Sequence, residues 1–252
     1  MDELDFFPRS RPWNSREMLS GLTRSDIHLN DKELQPAIEL FEFDMITEYD
    51  SHNLSQYFAK RRHQGMRFSS DFQTFERVWL IDERNHYEGY KLLLSMCTNR
   101  PEEELSKEAI QRQSDFTAIE HLLRDEFRIC MVLAYDEIIT ANSCAMDFNL
   151  FSSFGHSAFR DWIKRVARDE TFHFLNILDI LKSHYSYRLK EAPRILGELV
   201  EYDCSEAKYG STFVMDHDPK KFPRALLAHY CEKILQSLRD LSHCRSISFD
   251  PN

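Results

Sequence analysis

Two copies of one short pattern constrain this chain more than anything else in it. Asp82-Glu83-Arg84-Asn85-His86 and Asp169-Glu170-Thr171-Phe172-His173 each set a carboxylate and an imidazole three residues apart, with an aspartate just before the glutamate. On a helix, residues three apart leave the same face one turn apart. Each copy is then a rigid two-armed clamp for a metal ion. A single copy is common helix polarity, but two predict two helices facing each other across a shared site. Such a centre needs one more carboxylate from each of two further helices. Glu48 precedes Glu83 by 35 residues, and Glu137 precedes Glu170 by 33. The chain thus repeats a helix with Glu and then a helix with Glu-x-x-His, and each half predicts an antiparallel hairpin.

Four carboxylates and two imidazoles turned inward would hold two divalent ions about 3.5–4 Å apart. Glu83 and Glu170, on the helices that also carry histidine, are expected to bridge the ions. Glu48 with His86 would hold one ion, and Glu137 with His173 the other. Oxygen-rich ligation with one nitrogen per metal suits iron or manganese better than zinc. Asp169 is expected to accept from the ring N–H of His86, and Asp82 from that of His173, fixing tautomer and orientation. The competing explanation pairs buried carboxylates with arginines. It requires these helices to face other ways, because four like charges in one core layer are very costly without cations.

Only 6 Gly and 8 Pro in 252 residues, with 42% apolar and 29% charged, read as a compact, mostly helical chain. No apolar run approaches the ~20 residues needed to span a bilayer. The start, Met-Asp-Glu-Leu-Asp-Phe-Phe-Pro, lacks the basic and apolar stretches of a secretory signal. A cytoplasmic protein without a membrane partner is expected, and a net charge of −10 argues against nucleic acid. Cys97, Cys130, Cys144, Cys204, Cys231 and Cys244 form no Cys-x-x-Cys pair and read as reduced thiols.

Residues 1–30 read as an arm packed over the body, about 31–185 as the four-helix core, and about 186–252 as C-terminal helices. The first long helix is expected from Asp31 or Pro36 to Lys60-Arg61-Arg62, with Gly65 breaking the chain. Ser69-Ser70-Asp71 offers a cap for the second, which is expected to end before Asn99-Arg100-Pro101. A short helix starts at Pro101, and a third long one runs from about Asp115 to Asp147. The fourth runs from about His156 to Ser183, followed by amphipathic stretches near Ala192–Tyr202 and Pro223–Leu241. Gly210 and Asp216–Pro219 separate these two, and the last ten residues read as frayed.

At the ligand positions the chain resembles the soluble acyl-carrier-protein desaturases, members of the ferritin-like di-iron group. Asp44-Met45-Ile46-Thr47-Glu48 is similar to the family's Asp-Met-Ile-Thr-Glu. Trp79-x-x-Asp82-Glu83-x-x-His86 is similar to its Trp-x-x-Glu-Glu-x-x-His, with Asp in place of the first Glu. Glu137-x-x-Thr140 and Asp169-Glu170-x-x-His173 match its remaining motifs. The resemblance covers roughly residues 40–180 and stops there. Tyr49 stands where the family has a second Glu, and the chain is shorter than the plant desaturases. The resemblance implies an all-α fold with a ferritin-like four-helix bundle core and additional C-terminal helices. It also implies two iron ions, O2 as co-substrate, an external electron donor such as ferredoxin, and an acyl chain on a carrier protein.

Other roles follow from position. Thr140, with Ala134 and Ala141, either leaves room for O2 and hands over a proton or simply lets helices pack closely. Trp79 either relays electrons inward or fills the core. His52, one turn beyond Glu48, is an extra ligand, a hydrogen-bond donor near the metals, or a satisfied core polar group. Arg160, Lys164 and Arg168 form a basic stripe that would suit an acidic carrier protein, as would Lys60-Arg61-Arg62; a solvated face is the plainer reading. The leading expectation is an O2-dependent di-iron oxidase that desaturates an acyl chain, working as a homodimer with an electron-transfer protein. The alternative is hydroxylation, N-oxygenation or cleavage of a free small metabolite. Iron oxidation or storage is a third class.

Overall fold

In the computed structural model, residues 6–112, 114–205 and 217–240 are described; Cys244, Gly210, Asp216 and the last ten residues lie outside this set. All regular elements among the described residues are helical, apart from one isolated bridge between Ile27 and Gly155. Helix α1 is Ser15–Met18, capped by Asn14. Helix α2 is Asp31–His63. Asn30 opens it, its side chain accepting from the N–H groups of Lys32 (3.0 Å) and Glu33 (3.1 Å). Glu33 in turn accepts from the Asn30 N–H at 3.1 Å, a capping box that leaves Pro36 inside the helix. Four basic residues close α2, and Gly65 turns the chain at φ +95°.

Helix α3 is Ser70–Thr98, capped by Ser69 and stopped by Asn99 at φ 57°. Helix α4 is Glu102–Gln111. Helix α5 is Glu126–Met146, shorter than the sequence pattern suggested. Asp125 accepts from the Arg128 N–H at 3.0 Å and so starts α5 there. Asp115 accepts from the Thr117 N–H at 2.9 Å and starts a separate 3-10 turn, Thr117–Leu122. Helices α6 (Phe148–Ser153), α7 (Ser157–Tyr185), α8 (Ala192–Asp203) and α9 (Arg224–Arg239) follow.

The most extensive contacts are α2 with α3 and α5 with α7, and α3 lies against α7 between the two pairs. Each pair joins one helix bearing a lone Glu to one bearing Glu-x-x-His. Helices α8 and α9 pack on each other and both cover α5. By length and composition the run Glu126–Ser153 would cross a membrane. From Glu126 to Ile139, however, every residue of α5 is buried by protein, which is what makes the helix apolar all round. The described cysteines, Cys97, Cys130, Cys144, Cys204 and Cys231, are free thiols.

The arm lies across α3 and α7. Arg9 exchanges backbone hydrogen bonds with the Asn176 side chain at 2.8 and 3.1 Å. Ser15 donates twice to Asn85, from N–H and Oγ, both at 2.7 Å. The Trp162 indole N–H donates to Ser15 Oγ at 2.8 Å.

Helices α3 and α7 come closest where Gly89 meets Trp162. A Cβ on Gly89 would lie 2.3 Å from Trp162 Cζ2, and that ring is fully buried. Alanine is favoured over glycine in a helix interior by about 1 kcal/mol, but overfilling a packed core costs about 1–3 kcal/mol. Gly89→Ala is therefore expected to lower the denaturant midpoint despite its better helix propensity. A raised midpoint would show that Trp162 yields freely.

Candidate metal centre

Glu48 comes from α2, Glu83 and His86 from α3, Glu137 from α5, and Glu170 and His173 from α7, and all six are buried. The placement follows helix periodicity. On α2 the buried stripe is Phe41, Met45, Glu48, Ser51, Leu54 and Phe58, so Glu48 points where an apolar residue would otherwise sit. The ligand atoms fall into two groups, Glu48–Glu83–His86–Glu170 and Glu83–Glu137–Glu170–His173, each spanning no more than 4.8 Å. Glu83 and Glu170 belong to both groups, the position of bridging ligands.

Each imidazole turns Nδ1 inward and Nε2 outward. His86 Nδ1 lies 3.1 Å from Glu170 and 3.5 Å from Glu48. His173 Nδ1 lies 3.0 Å from Glu170, 3.2 Å from Glu137 and 3.3 Å from Glu83. Outward, His86 Nε2 faces Asp169 at 3.4 Å and His173 Nε2 faces Asp82 at 3.3 Å. The aspartates thus reach across to the opposite helix's histidine. If each Nε2–H donates to its aspartate, each Nδ1 presents a lone pair to carboxylate oxygens. Glu48 Oε2, Glu170 Oε1 and His86 Nδ1 are also buried without a hydrogen-bond partner. Orphaned acceptors converging on one point need a cation between them. The donor set fits two hard or borderline divalent ions.

The protonation pattern agrees. Burial pushes Glu48, Glu83 and Glu137 above the ordinary carboxylate range. Burial also works to raise Glu170, but His86 and His173 beside it outweigh that and hold it low. Burial works to lower both histidines; Glu170 and Glu48 outweigh it at His86, as does Glu137 at His173, and both rise well above 6.5. The direction of these shifts is that of a cluster short of positive charge.

An outer layer holds these groups. The indole N–H of Trp79 donates to Glu137 Oε1 at 2.8 Å, and its ring is buried. Asp169 accepts from the Trp13 indole at 2.5 Å and from Arg168 Nη2 at 2.8 Å. Burial opposes the Asp169 charge, yet His86, Trp13 and Arg168 hold its carboxyl below the usual range. Trp13, on the arm, is half-buried, with the Arg165 guanidinium 5.7 Å from its ring.

Two cavities flank Glu48. One, about 70 Å³, is lined by all four ligand glutamates and by Asp44, Asp136, Thr140, Cys144 and His217, with no ligand imidazole. The other, about 670 Å³, is lined by Glu48, Tyr49, His52, Leu80, Ile81, Arg84, Tyr87, Lys91 and Ile110. His52 lies outside the metal cluster. It is exposed, with Nε2 2.8 Å from the Gln56 amide nitrogen, because the inward stripe passes through Ser51 and Leu54. Within the basic stripe, Arg160 and Lys164 are exposed, whereas Arg168 is committed to Asp169 and the Arg11 carbonyl. Arg62 is likewise tied to Glu76, and Arg61 to Glu120 at 3.4 Å. Sequence reading missed Trp13, Asp203 and His217, which belong to segments without a motif.

No protein-family model, curated protein or solved structure matches this chain.

Because metal must displace protons from the inner face of both histidines, loading is expected to acidify a weakly buffered solution, with affinity falling as pH falls. Glu170→Ala removes a shared ligand and should lower occupancy of both sites. Two ions bound with wild-type affinity in that variant, by metal analysis, would refute the bridging assignment.

Proposed function

We propose that this chain is a ferritin-like di-iron oxidoreductase that uses O2 to oxidise an organic substrate. The observation that carries the reading is the pair of four-ligand groups sharing Glu83 and Glu170, each with one imidazole. Iron(II) bound there would supply electrons for reducing O2; geometry, dryness and proton supply come from the protein. Glu48 with His86 would hold one ion and Glu137 with His173 the other. Asp169 and Asp82 would orient the two rings.

An external donor such as ferredoxin would reach the centre through Trp13. Its half-exposed indole is hydrogen-bonded to Asp169, which faces His86 Nε2 at 3.4 Å. Trp79 has no comparable surface; its N–H steadies Glu137, so we assign it to orienting that ligand. Thr140 lines the small cavity over the carboxylate face, where its hydroxyl can pass a proton.

A free small polar molecule is the substrate this cavity favours. Its room is about 70 Å³, too little for an acyl chain, and its walls set Asp44, Asp136 and Thr140 beside Phe43 and Tyr90. The desaturase reading keeps two supports: the order and spacing of the four sequence motifs, and the larger groove behind Glu48 with Leu80, Ile81 and Ile110 in its wall. For a carrier protein, Arg160 and Lys164 remain exposed on α7.

Iron-loaded protein with a reductant should consume O2 catalytically and yield products detectable by mass spectrometry from a panel of carrier-linked acyl chains and free metabolites. Iron taken up and oxidised once, without turnover, would point to iron handling instead. Trp13→Phe should keep its iron and slow reductant-driven O2 consumption by about 10–100-fold, the usual cost of an outer-layer partner; an unchanged rate would remove Trp13 from the electron path. Thr140→Val should consume O2 without matching product, and Thr140→Ser should retain the coupling. Full coupling in the valine variant would make Thr140 a packing residue.

A further inference from the structure

The C-terminal part of the chain brings one more acid–base group to the centre. His217 Nδ1 lies 2.7 Å from Asp203 Oδ2 at the end of α8. The same oxygen accepts from the Tyr135 hydroxyl at 2.6 Å. Asp203 is 2% exposed, and Tyr135 is buried on α5 two residues before Glu137. With Nδ1–H donating to that carboxylate, the lone pair of the neutral ring lies on Nε2. Nε2 faces Asp136 Oδ1 at 3.8 Å, and His217 lines the small cavity together with the four ligand glutamates.

The segment carrying His217 is fastened to α5. Lys221 pairs with Asp147 at 2.9 Å, and Phe222 is buried with its ring 5.6 Å from the imidazole. The histidine is thus held against the cavity by a charge pair on one side and an apolar contact on the other.

We propose that His217 is the general base of this site, acting on a small amine or hydroxyl compound held in the cavity. This rests on the O2-dependent reading above and narrows its substrate class. The substrate's N–H or O–H bond breaks heterolytically, its electron pair stays on the heteroatom, and the proton forms a bond to Nε2. Asp203, already accepting from Nδ1–H, stabilises the imidazolium. The substrate then gives up two electrons and the hydrogen on the neighbouring atom as a proton, so that a C=N, C=O or N=O double bond forms, while O2 takes those two electrons, two more from the external donor and four protons and leaves as two waters. An alkyl chain offers no proton that an imidazole can remove, so the assignment separates small protic substrates from acyl chains.

The test has one arm without metal and one with it. In metal-free protein labelled with ¹⁵N-histidine, one imidazole signal, absent from His217→Gln, should show a protected Nδ1–H and a bare Nε2, and Asp203→Asn should abolish that pattern. An Nε2–H tautomer in the wild type overturns the proposal. In iron-loaded protein, methylamine and hydroxylamine serve as protic probes, with O2 consumption and product as the readouts. His217→Gln should keep its iron content and helicity and lose about 10²–10⁴-fold in turnover. Added imidazole should restore part of the rate to His217→Gly, which a purely structural role would not allow. Wild-type turnover in His217→Gln, or no oxidation of any probe by the wild type, counts against it. Wild-type protein that binds no iron or consumes no O2 sinks the functional reading and the role of His217 with it. The metal-free spectra judge the Asp203 pairing on their own.

Discussion

Moving four carboxylates from water into the middle of four helices is opposed by several kcal/mol per ion, and only opposite charge placed among them can offset it. Much of this structure reads as a response to that demand. Two imidazoles turn Nδ1 toward the carboxylates, within 3.5 Å. Asp82 and Asp169 sit behind the rings and fix which nitrogen faces inward. Trp79, Trp13 and Arg168 in turn fix Glu137 and Asp169. Within the cluster, Glu48 Oε2 and Glu170 Oε1 are the oxygens left without a hydrogen-bond partner, as a cation site requires.

Such a site also depends on the helices keeping their separation. The α3–α7 contact sets it, since these two helices carry both imidazoles and both shared glutamates. Gly89 admits the buried Trp162 ring, whose N–H is held by Ser15 of the arm, and Ser15 is in turn bonded to Asn85 between Glu83 and His86. The arm is therefore part of the centre's frame, and it delivers Trp13 to Asp169. A shift at Gly89 or Ser15 would reach the metal ligands through rigid helices rather than through a flexible loop.

The cavities on either side of Glu48 differ in chemistry as well as in size. The smaller is floored by the four inward glutamates and walled by Asp44, Asp136 and Thr140 together with Phe43 and Tyr90; the larger mixes aliphatic and tyrosine side chains with Arg84 and Lys91. The proposed reduction of O2 would need protons, and Thr140 and His217 line the smaller cavity where they could move them. The larger has the volume for an extended ligand, but among the ligand residues it reaches only Glu48. Under the proposed function, size and lining pull toward different substrates, and the smaller cavity is the one that meets all four inward glutamates.

The all-helical fold and the convergence of six acidic and histidine side chains were legible in the sequence because helix geometry is periodic. Glu-x-x-His fixes two side chains on one face by spacing alone, and 35- and 33-residue intervals between glutamates are enough for a helix, a turn and an antiparallel return. The crossed pairing of Asp169 with His86 and Asp82 with His173 follows from the same periodicity once the helices face each other. What periodicity does not encode is contact between segments far apart in the chain. Nothing around Trp13 says that the arm ends at Asp169, 156 residues away. His217 and Asp203 are 14 residues apart with no motif between them, and their place beside the ligand glutamates is set by α8 and the Lys221–Asp147 pair. His52 marks the opposite limit: one turn from Glu48, it still falls outside because the buried stripe of α2 turns through Ser51 instead. Local spacing determined which side chains could share a face; only packing between distant segments decided which of those faces met, and what stood behind them.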